Sequence, residues 1–377
     1  MKAEEEGIEI HSFGEKISKE LKVFYNPKMK LNRDFSLLIL KTDFENRDKR
    51  LEISDNSTPH SPISKLIKYC DPMAASGIRQ LRFIKTIPEI FDEITLGDIS
   101  QDSINQIKNN FKKNNLPTEK LNLKHQNAIN TITEKYYDVI ELDPFGSPVP
   151  FLDSACQRIK HNGILSITAT DTAALCGTYP KTTLRKYGIS VQKTLWHEEL
   201  GLRNLIAFSQ RIAAQYEKVL HPIVSYTDKH YFRIFFKVEE SRTKSYESVK
   251  NHKYLKHDIK TQKTQILDYE EKGAFGKTYI GELNNKEFLK LLLENIQLIQ
   301  DNKEITKLLE KLIAEPNVVG YFNTHKLQKS YKIATEIKKD TILAELKNQG
   351  FEVSKAHNDK YGIKTNAPVE KVLEILK

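Results

Sequence analysis

The run of residues 139–142, Val-Ile-Glu-Leu, has the length and β-branched content of a buried strand, and the chain stops it at once with Asp143-Pro144-Phe145-Gly146-Ser147-Pro148. Asp143 therefore falls where the strand ends. In an open α/β sheet, the crevice beyond the carboxyl ends of the strands is where ligands bind. An acid, a stiffened backbone and a ring at that point suit a flat ligand with an exocyclic amine: the carboxylate accepts its N–H and Phe145 covers its face. Residues 143–146 also suit a plain Asp-Pro turn, so the surrounding chain has to decide.

That chain alternates between strand and helix patterns. Residues 66–70 form a candidate first strand, followed by Asp71-Pro72-Met73-Ala74-Ala75-Ser76-Gly77-Ile78-Arg79 and the periodic Leu81, Ile84 and Ile87. Small residues at a strand-to-helix turn let the backbone approach a ligand. A single glycine in place of GxGxxG argues against a pyrophosphate cradle, and the turn better suits the amino-acid end of S-adenosylmethionine. A second strand, 93–96, ends at Gly97-Asp98, and an acid there can bind both hydroxyls of a ribose. A helix with Ile104, Ile107 and Phe111 on one face follows. Residues 121–123 read as a third strand leading into Asn127-Ala128, where an amide side chain can meet an adenine edge. The opening stretch is then the fourth strand and 163–168 the fifth, with a small-residue loop, 169–177, at the same edge. A helical pattern from His197 to about Val219 and a hairpin of 223–226 with 231–238 complete the sheet. A lone His197 beside two glutamates is a surface or packing pattern, not a metal set.

A length of 377 residues allows two domains, since a single core stops growing near ~250–300 residues. A formal charge of +9 points to a polyanionic partner if the basic residues cluster. Cys70, Cys156 and Cys176 are far apart, with no CxxC or Cys/His pair, so the sequence writes neither a zinc ribbon nor a disulfide framework. No apolar run approaches the ~20 residues of a membrane span, and the acidic start, residues 1–6, is unlike a signal peptide. A cytoplasmic location is the expectation.

Residues 1–60 show neither a regular helix nor a sheet pattern, yet 23–34 are dense in aromatics and amides, including Phe24, Asn26 and Arg33. Aromatic plus Asn-Pro makes a turn that presents rings, and Arg33 carries donors shaped for a carboxylate or phosphate. Packing of this arm over a sheet explains Phe24 equally well. After Glu239, residues 241–265 hold seven Lys or Arg against two acids with almost no apolar period, which reads as a basic connector. Helical patterns at about 285–313 and 337–349, a strand-like 351–354, a loop at 361–365 and a helix after Pro368 make a smaller α/β domain. The expected domains are an arm at 1–60, a core at 61–240, the connector at 241–265 and a C-terminal α/β domain at 266–377 whose lysine-bearing helices suit a nucleic acid.

The strings VFYNPKMKLNRD, DPMAASGIRQLRF, GDIS, DPFGSP, ATDTAALCG and GIKTNAP, in this order, resemble the tRNA (guanine-26-N2) dimethyltransferases, particularly the archaeal ones. The resemblance implies a Rossmann-like sheet with an appended C-terminal domain, S-adenosylmethionine as methyl donor, and tRNA as substrate and partner. It makes Asp143 the acid that contacts the guanine N2 amine, with Pro144 beside it. Phe145 and Phe24 become rings around the flipped base, and Asn26 lies in the same substrate-contacting segment. Arg33 and Arg79 match positions holding the methionine part of the donor, Asp71 belongs to the same turn, and Asp98 is the ribose acid. Asn127-Ala128-Ile129 stands where the family often has Asp-Ala-Asn, so the adenine contact is a departure. Relatives also carry a cysteine cluster near the start of the C-terminal domain. This chain has no cysteine after Cys176 and therefore no metal is expected. The rival readings are an adenine or DNA amino-methyltransferase, and a non-catalytic tRNA-binding protein on the same scaffold.

Overall fold

The computed structural model describes residues 2–11, 23–54, 66–228, 230–334 and 337–377. A short hairpin, β1 (Lys2–Glu5) and β2 (Ile8–His11), precedes a 25-residue helix α1 (Lys30–Ser54). The core then alternates: β3 (Ile67–Asp71), α2 (Ile78–Thr86), β4 (Phe91–Asp98), α3 (Gln101–Lys113), β5 (Leu121–His125), α4 (Ala128–Thr133), β6 (Tyr137–Leu142), α5 (Val149–Arg158) and β7 (Ile159–Ala169). Helices α6 (Thr172–Leu175), α7 (Pro180–Tyr187) and α8 (His197–Ala214) lead to the antiparallel pair β8 (Lys218–Asp228) and β9 (Tyr231–Glu240). The seven strands run in the order β5-β4-β3-β6-β7-β9-β8, and β3 is parallel to both β4 and β6. This is a mixed α/β sheet of the expected Rossmann-like kind. Local signals set its elements: α3 starts at Ser100, whose Oγ accepts from the Ser103 N–H, with Asp102 in its first turn and Lys112 and Lys113 in its last.

Four expectations are corrected. Residues 1–60 hold a hairpin and α1; residues 31–40 of that helix are buried all round, so Asn32, Arg33, Asp34 and Ser36 sit inside with Leu31 and Phe35 and leave no apolar stripe to read. The helix at His197 ends at Ala214, and Val219 lies in β8. The stretch 241–265 folds into α9 (Arg242–Lys250), β10 (Lys253–His257) and the start of β11 (Thr264–Leu267), which form a three-stranded sheet with β12 (Phe275–Thr278). Only Leu255 and His257 of β10 are buried, too little for a period to show. The expected loop at 361–365 is largely a strand, as given next.

The remaining elements are α10 (Lys286–Glu294), α11 (Lys303–Ala314), β13 (Phe322–Asn323), α12 (Thr324–Ser330), α13 (Lys339–Asn348), β14 (Val353–Lys355), β15 (Gly362–Thr365) and α14 (Val369–Leu376). The strand β15 is the centre of a sheet ordered β13-β15-β14, and Leu327, Ile342, Leu346, Ile363, Val372 and Leu376 fill the core beneath it.

By contacts the chain forms two units: Met1–Asp143, Asp153–Ser166 and Lys290–Lys307 in the first, Pro144–Leu152, Ile167–Leu289 and Leu308–Lys377 in the second. The first is tied by buried charges. Glu5 accepts from Arg33 and Arg82, and Arg82 also reaches Asp34 at 2.5 Å. In the second, Glu199 accepts from Arg203 (2.8 Å), Lys364 (3.1 Å) and the Gly320 N–H (2.8 Å), while Glu315 accepts from the His357 N–H and faces its Nδ1 at 2.8 Å. With no cysteine after Cys176, these ion pairs and the apolar cluster link its helices and strands.

Candidate active site

The chain order of the sheet reverses between β3 and β6, which places a crevice at their carboxyl ends. Asp71 is the last residue of β3 and Asp143 the first beyond β6. Arg79, the second residue of α2, joins them. Its Nη2 donates to Asp143 Oδ2 at 2.6 Å, its Nη1 donates to Asn32 Oδ1 (2.8 Å) and Ser36 Oγ (2.7 Å), and its Nε stands 4.0 Å from Asp71 Oδ2. Asn32 and Ser36 are four residues apart on α1 and so share one face. Glu141 of β6 is a third acid, 3.7 Å from Arg79 Nη1, with its Oε1 accepting from Ser166 Oγ at 3.0 Å.

One guanidinium thus faces three carboxylates in a largely dry place. Burial pushes Asp71 up to about 7, with Glu141 adding to the rise and Arg79 opposing it. Burial works against the charge on Arg79, but Glu141 and Asp143 outweigh it and hold its pKa above the usual range. Asp143 is the most open of the three acids: its side chain is 21% exposed, and among the described residues its Oδ1 takes part in no hydrogen bond.

The turn after β3 is shaped by its own backbone. Asp71 Oδ1 accepts from the Met73 N–H at 3.1 Å, and Asp98 Oδ2, at the end of β4, accepts from the Ala75 N–H at 3.0 Å. Ala75 (φ +49°) and Gly77 (φ +72°) are both left-handed, and a Cβ on Gly77 would lie 3.0 Å from Ile107 Cγ1, so glycine is required there. Asp98 Oδ1 also accepts from the Ser100 N–H at 2.8 Å, and each of its oxygens keeps a second lone pair for a ribose hydroxyl. Asn127 caps α4, its Oδ1 accepting from the Ile129 N–H at 2.8 Å and keeping a second lone pair for an adenine amine. Ala128 beside it is buried, whereas Ile99 (76% exposed), on the loop after β4, and Ile129 (40%), in the first turn of α4, offer apolar surface. Acid, small-residue turn and exposed apolar side chains match the ribose, amino-acid and purine parts of S-adenosylmethionine.

The other expected residues lie as follows. Phe24 is half-buried. Asn26 Oδ1 accepts from the Lys28 N–H at 3.0 Å and its carbonyl accepts from Arg33 Nη2 at 3.2 Å. Arg33 is committed to Glu5, an internal role not visible in the sequence because Glu5 is 28 residues away. Pro144 is buried and Phe145 is 53% exposed. The loop that follows is braced within the second unit: Gly146 N–H meets Thr170 Oγ1 at 2.7 Å, and Ser147 and Asp171 both bond the Tyr187 hydroxyl at 2.8 Å. Sequence reasoning missed Asn32, Ser36 and Glu141 as site residues. The signal for Glu141 was present, since an acid inside an apolar strand needs a buried partner.

Over residues 3–377 the sequence matches the TRM family, described as N2,N2-dimethylguanosine tRNA methyltransferase. It is 34% identical to the tRNA (guanine(26)-N(2))-dimethyltransferase of Methanobrevibacter smithii, covering 100% of this chain and 97% of that one. It is also 34% identical to the Pyrococcus abyssi protein of the same name, over 94% and 92% of the two chains. The solved structure of Trm1 from Pyrococcus horikoshii with S-adenosyl-L-methionine superposes with a TM-score of 0.87 at 30% identity, over 100% of this chain and 99% of that one. This chain belongs to the N2,N2-dimethylguanosine tRNA methyltransferase family.

Proposed function

We propose that this enzyme transfers methyl groups from S-adenosylmethionine to the exocyclic N2 amine of guanine 26 in tRNA, giving N2,N2-dimethylguanosine, and that Asp143 holds the amine during transfer. Family membership supports the reaction. The observation that carries the residue assignment is the Arg79–Asp143 pair at the switch point: one oxygen is fixed at 2.6 Å and Oδ1 is left to accept.

The N2 lone pair of guanine is delocalised into the ring, so the amine must be turned until that pair faces the methyl carbon. An N–H donated to Asp143 Oδ1 sets that orientation, and the carboxylate stabilises positive charge as it develops on nitrogen. When bound, S-adenosylmethionine supplies the electrophilic methyl on a sulfonium. The turn at Asp71, the Asp98 carboxylate and the Asn127-Ala128 corner are the residues we assign to holding it. The methylated nitrogen then gives up one proton, through Asp143 or water, and the one N–H that remains is enough to bond Asp143 again, which makes the second methylation chemically continuous with the first.

Arg79 is assigned to Asp143 and not to the donor's methionine carboxylate, because its nitrogens already meet Asp143, Asn32 and Ser36. It is a positioning residue. Arg33 is assigned to bracing the N-terminal hairpin through Glu5. Phe145, exposed two residues beyond Asp143, is assigned to the base face; Phe24 is carried as its counterpart on the resemblance of its segment. Residues 266–377 are assigned to holding tRNA. Nucleoside mass spectrometry of unmodified tRNA, incubated with the protein and S-adenosylmethionine, tests the proposal. N2-methylguanosine and then N2,N2-dimethylguanosine at position 26 are expected; methyladenosine, or no product, overturns it.

A further inference from the structure

We propose that Tyr361 and His325 form a stacking platform for an unpaired base of the substrate RNA, with the lysines around them taking the flanking phosphates. This rests on the reading of tRNA as substrate. The two rings stack with centroids 5.1 Å apart and planes 27° apart, and both are exposed, Tyr361 by 44%. An exposed ring pair is not explained by core packing, and its frame is rigid. The Tyr361 N–H donates to Asp359 Oδ1 at 2.7 Å, and the Tyr361 carbonyl accepts both the N–H and the hydroxyl of Thr324 at 3.1 Å. Asp359 Oδ2 accepts from Asn323 Nδ2 at 2.8 Å, and Asn323 in turn caps α12, which carries His325. The backbone beneath both rings is therefore fixed before any ligand arrives, which lowers the ordering cost of binding.

Lysines outnumber acids around them. Lys360 Nζ lies 5.5 Å from the Tyr361 centroid and the Lys360 carbonyl accepts from Lys339 Nζ at 2.7 Å. Lys326, Lys329 and Lys332 follow one another on and just after α12, all exposed. Lys339 is held below the usual lysine range by its partial burial and then by Lys355, with Asp340 and Asp359 opposing. Those two acids are committed: Asp340 pairs with Lys355 at 2.6 Å, and Asp359 serves the frame. Rings with exposed surface among lysines suit single-stranded RNA, in which unstacked bases lie on aromatic side chains while the backbone meets cations.

The test is binding of an unmodified tRNA transcript, measured by anisotropy over a range of salt concentrations. Tyr361→Ala should weaken binding roughly 5- to 150-fold with an unchanged salt slope, as loss of one stacked base does, whereas Tyr361→Phe should bind as wild type. Lys329→Ala should lower the salt slope by about 1. Tyr269→Ala, which removes another exposed ring, should change nothing. Retained S-adenosylmethionine binding by Tyr361→Ala reports its folding. The platform is overturned if Tyr361→Ala binds within about twofold of wild type, or if Tyr361→Phe loses as much as alanine. A wild-type protein that binds tRNA but does not methylate it contradicts the functional reading and leaves this binding comparison intact; one that methylates normally with Tyr361→Ala unimpaired in binding contradicts the platform alone.

Discussion

Arg79→Lys separates the two roles open to this residue. Arginine spans the site because its two terminal nitrogens serve different partners, Nη1 on Asn32 and Ser36 and Nη2 on Asp143. Lysine keeps the charge on one nitrogen and cannot reach both sides. A hydrogen bond to a charged group is worth about 1.5–3 kcal/mol. Loss of the one that orients Asp143 should therefore lower the single-turnover methylation rate roughly 10- to 150-fold. Affinity for S-adenosylmethionine, measured by calorimetry, should stay within about threefold. In an Asp143→Asn background the same substitution should cost little more, since residues acting through one group are not additive. The reasoning is refuted if Arg79→Lys weakens donor binding tenfold or more while the saturating rate holds in both backgrounds, for then Arg79 grips the methionine carboxylate, as the sequence resemblance implied.

Asp71, raised to about 7, contributes stability that is full below about pH 4 and is lost as pH rises through 7; denaturation at pH 5 and pH 8 should show Asp71→Asn gaining on wild type with pH. A cationic donor bound beside Asp71 should also expel part of its proton at pH 7, seen as a buffer-dependent binding enthalpy. Glu315 is the opposite case. Burial raises its pKa, but His357 and Lys364 outweigh it and bring it to about 2, so its contribution is present above about pH 4.5 and lost as pH falls through 2. Glu315→Gln leaves Lys364 with Glu199 alone and takes the charged acceptor from the His357 N–H, and should cost about 1.5–3 kcal/mol in urea unfolding at pH 7. Phe145→Ala should lower kcat/KM for tRNA roughly 5- to 150-fold, and Phe24→Ala should weaken base capture more than donor binding; weakened donor binding with an unchanged rate contradicts the base-clamp assignment.

The sheet was legible because its strands are short apolar runs punctuated by Asp-Pro, Gly-Asp and small-residue turns, and the same punctuation located Asp71, Asp98 and Asp143. The first sixty residues were not legible, since α1 buries polar residues on every side and its pairing runs to Glu5, Arg79 and Arg82. Residue type alone fitted Arg33 and Arg79 to an anionic ligand. Which anion each meets depends on side chains 28 and 64 residues away, a separation that no local pattern encodes. The strand at 362–365 failed to read as one because Gly362 and Lys364 interrupt its apolar content, although Lys364 is buried against Glu199.

The account stands on Asp143 as the acceptor of the guanine amine, and the most direct measurement is nucleoside mass spectrometry of tRNA treated with Asp143→Ala alongside tRNA affinity for the same variant. The prediction is no N2-methylguanosine or N2,N2-dimethylguanosine, with tRNA binding within about threefold of wild type. Dimethylation of guanine 26 at the wild-type rate by Asp143→Ala would contradict it.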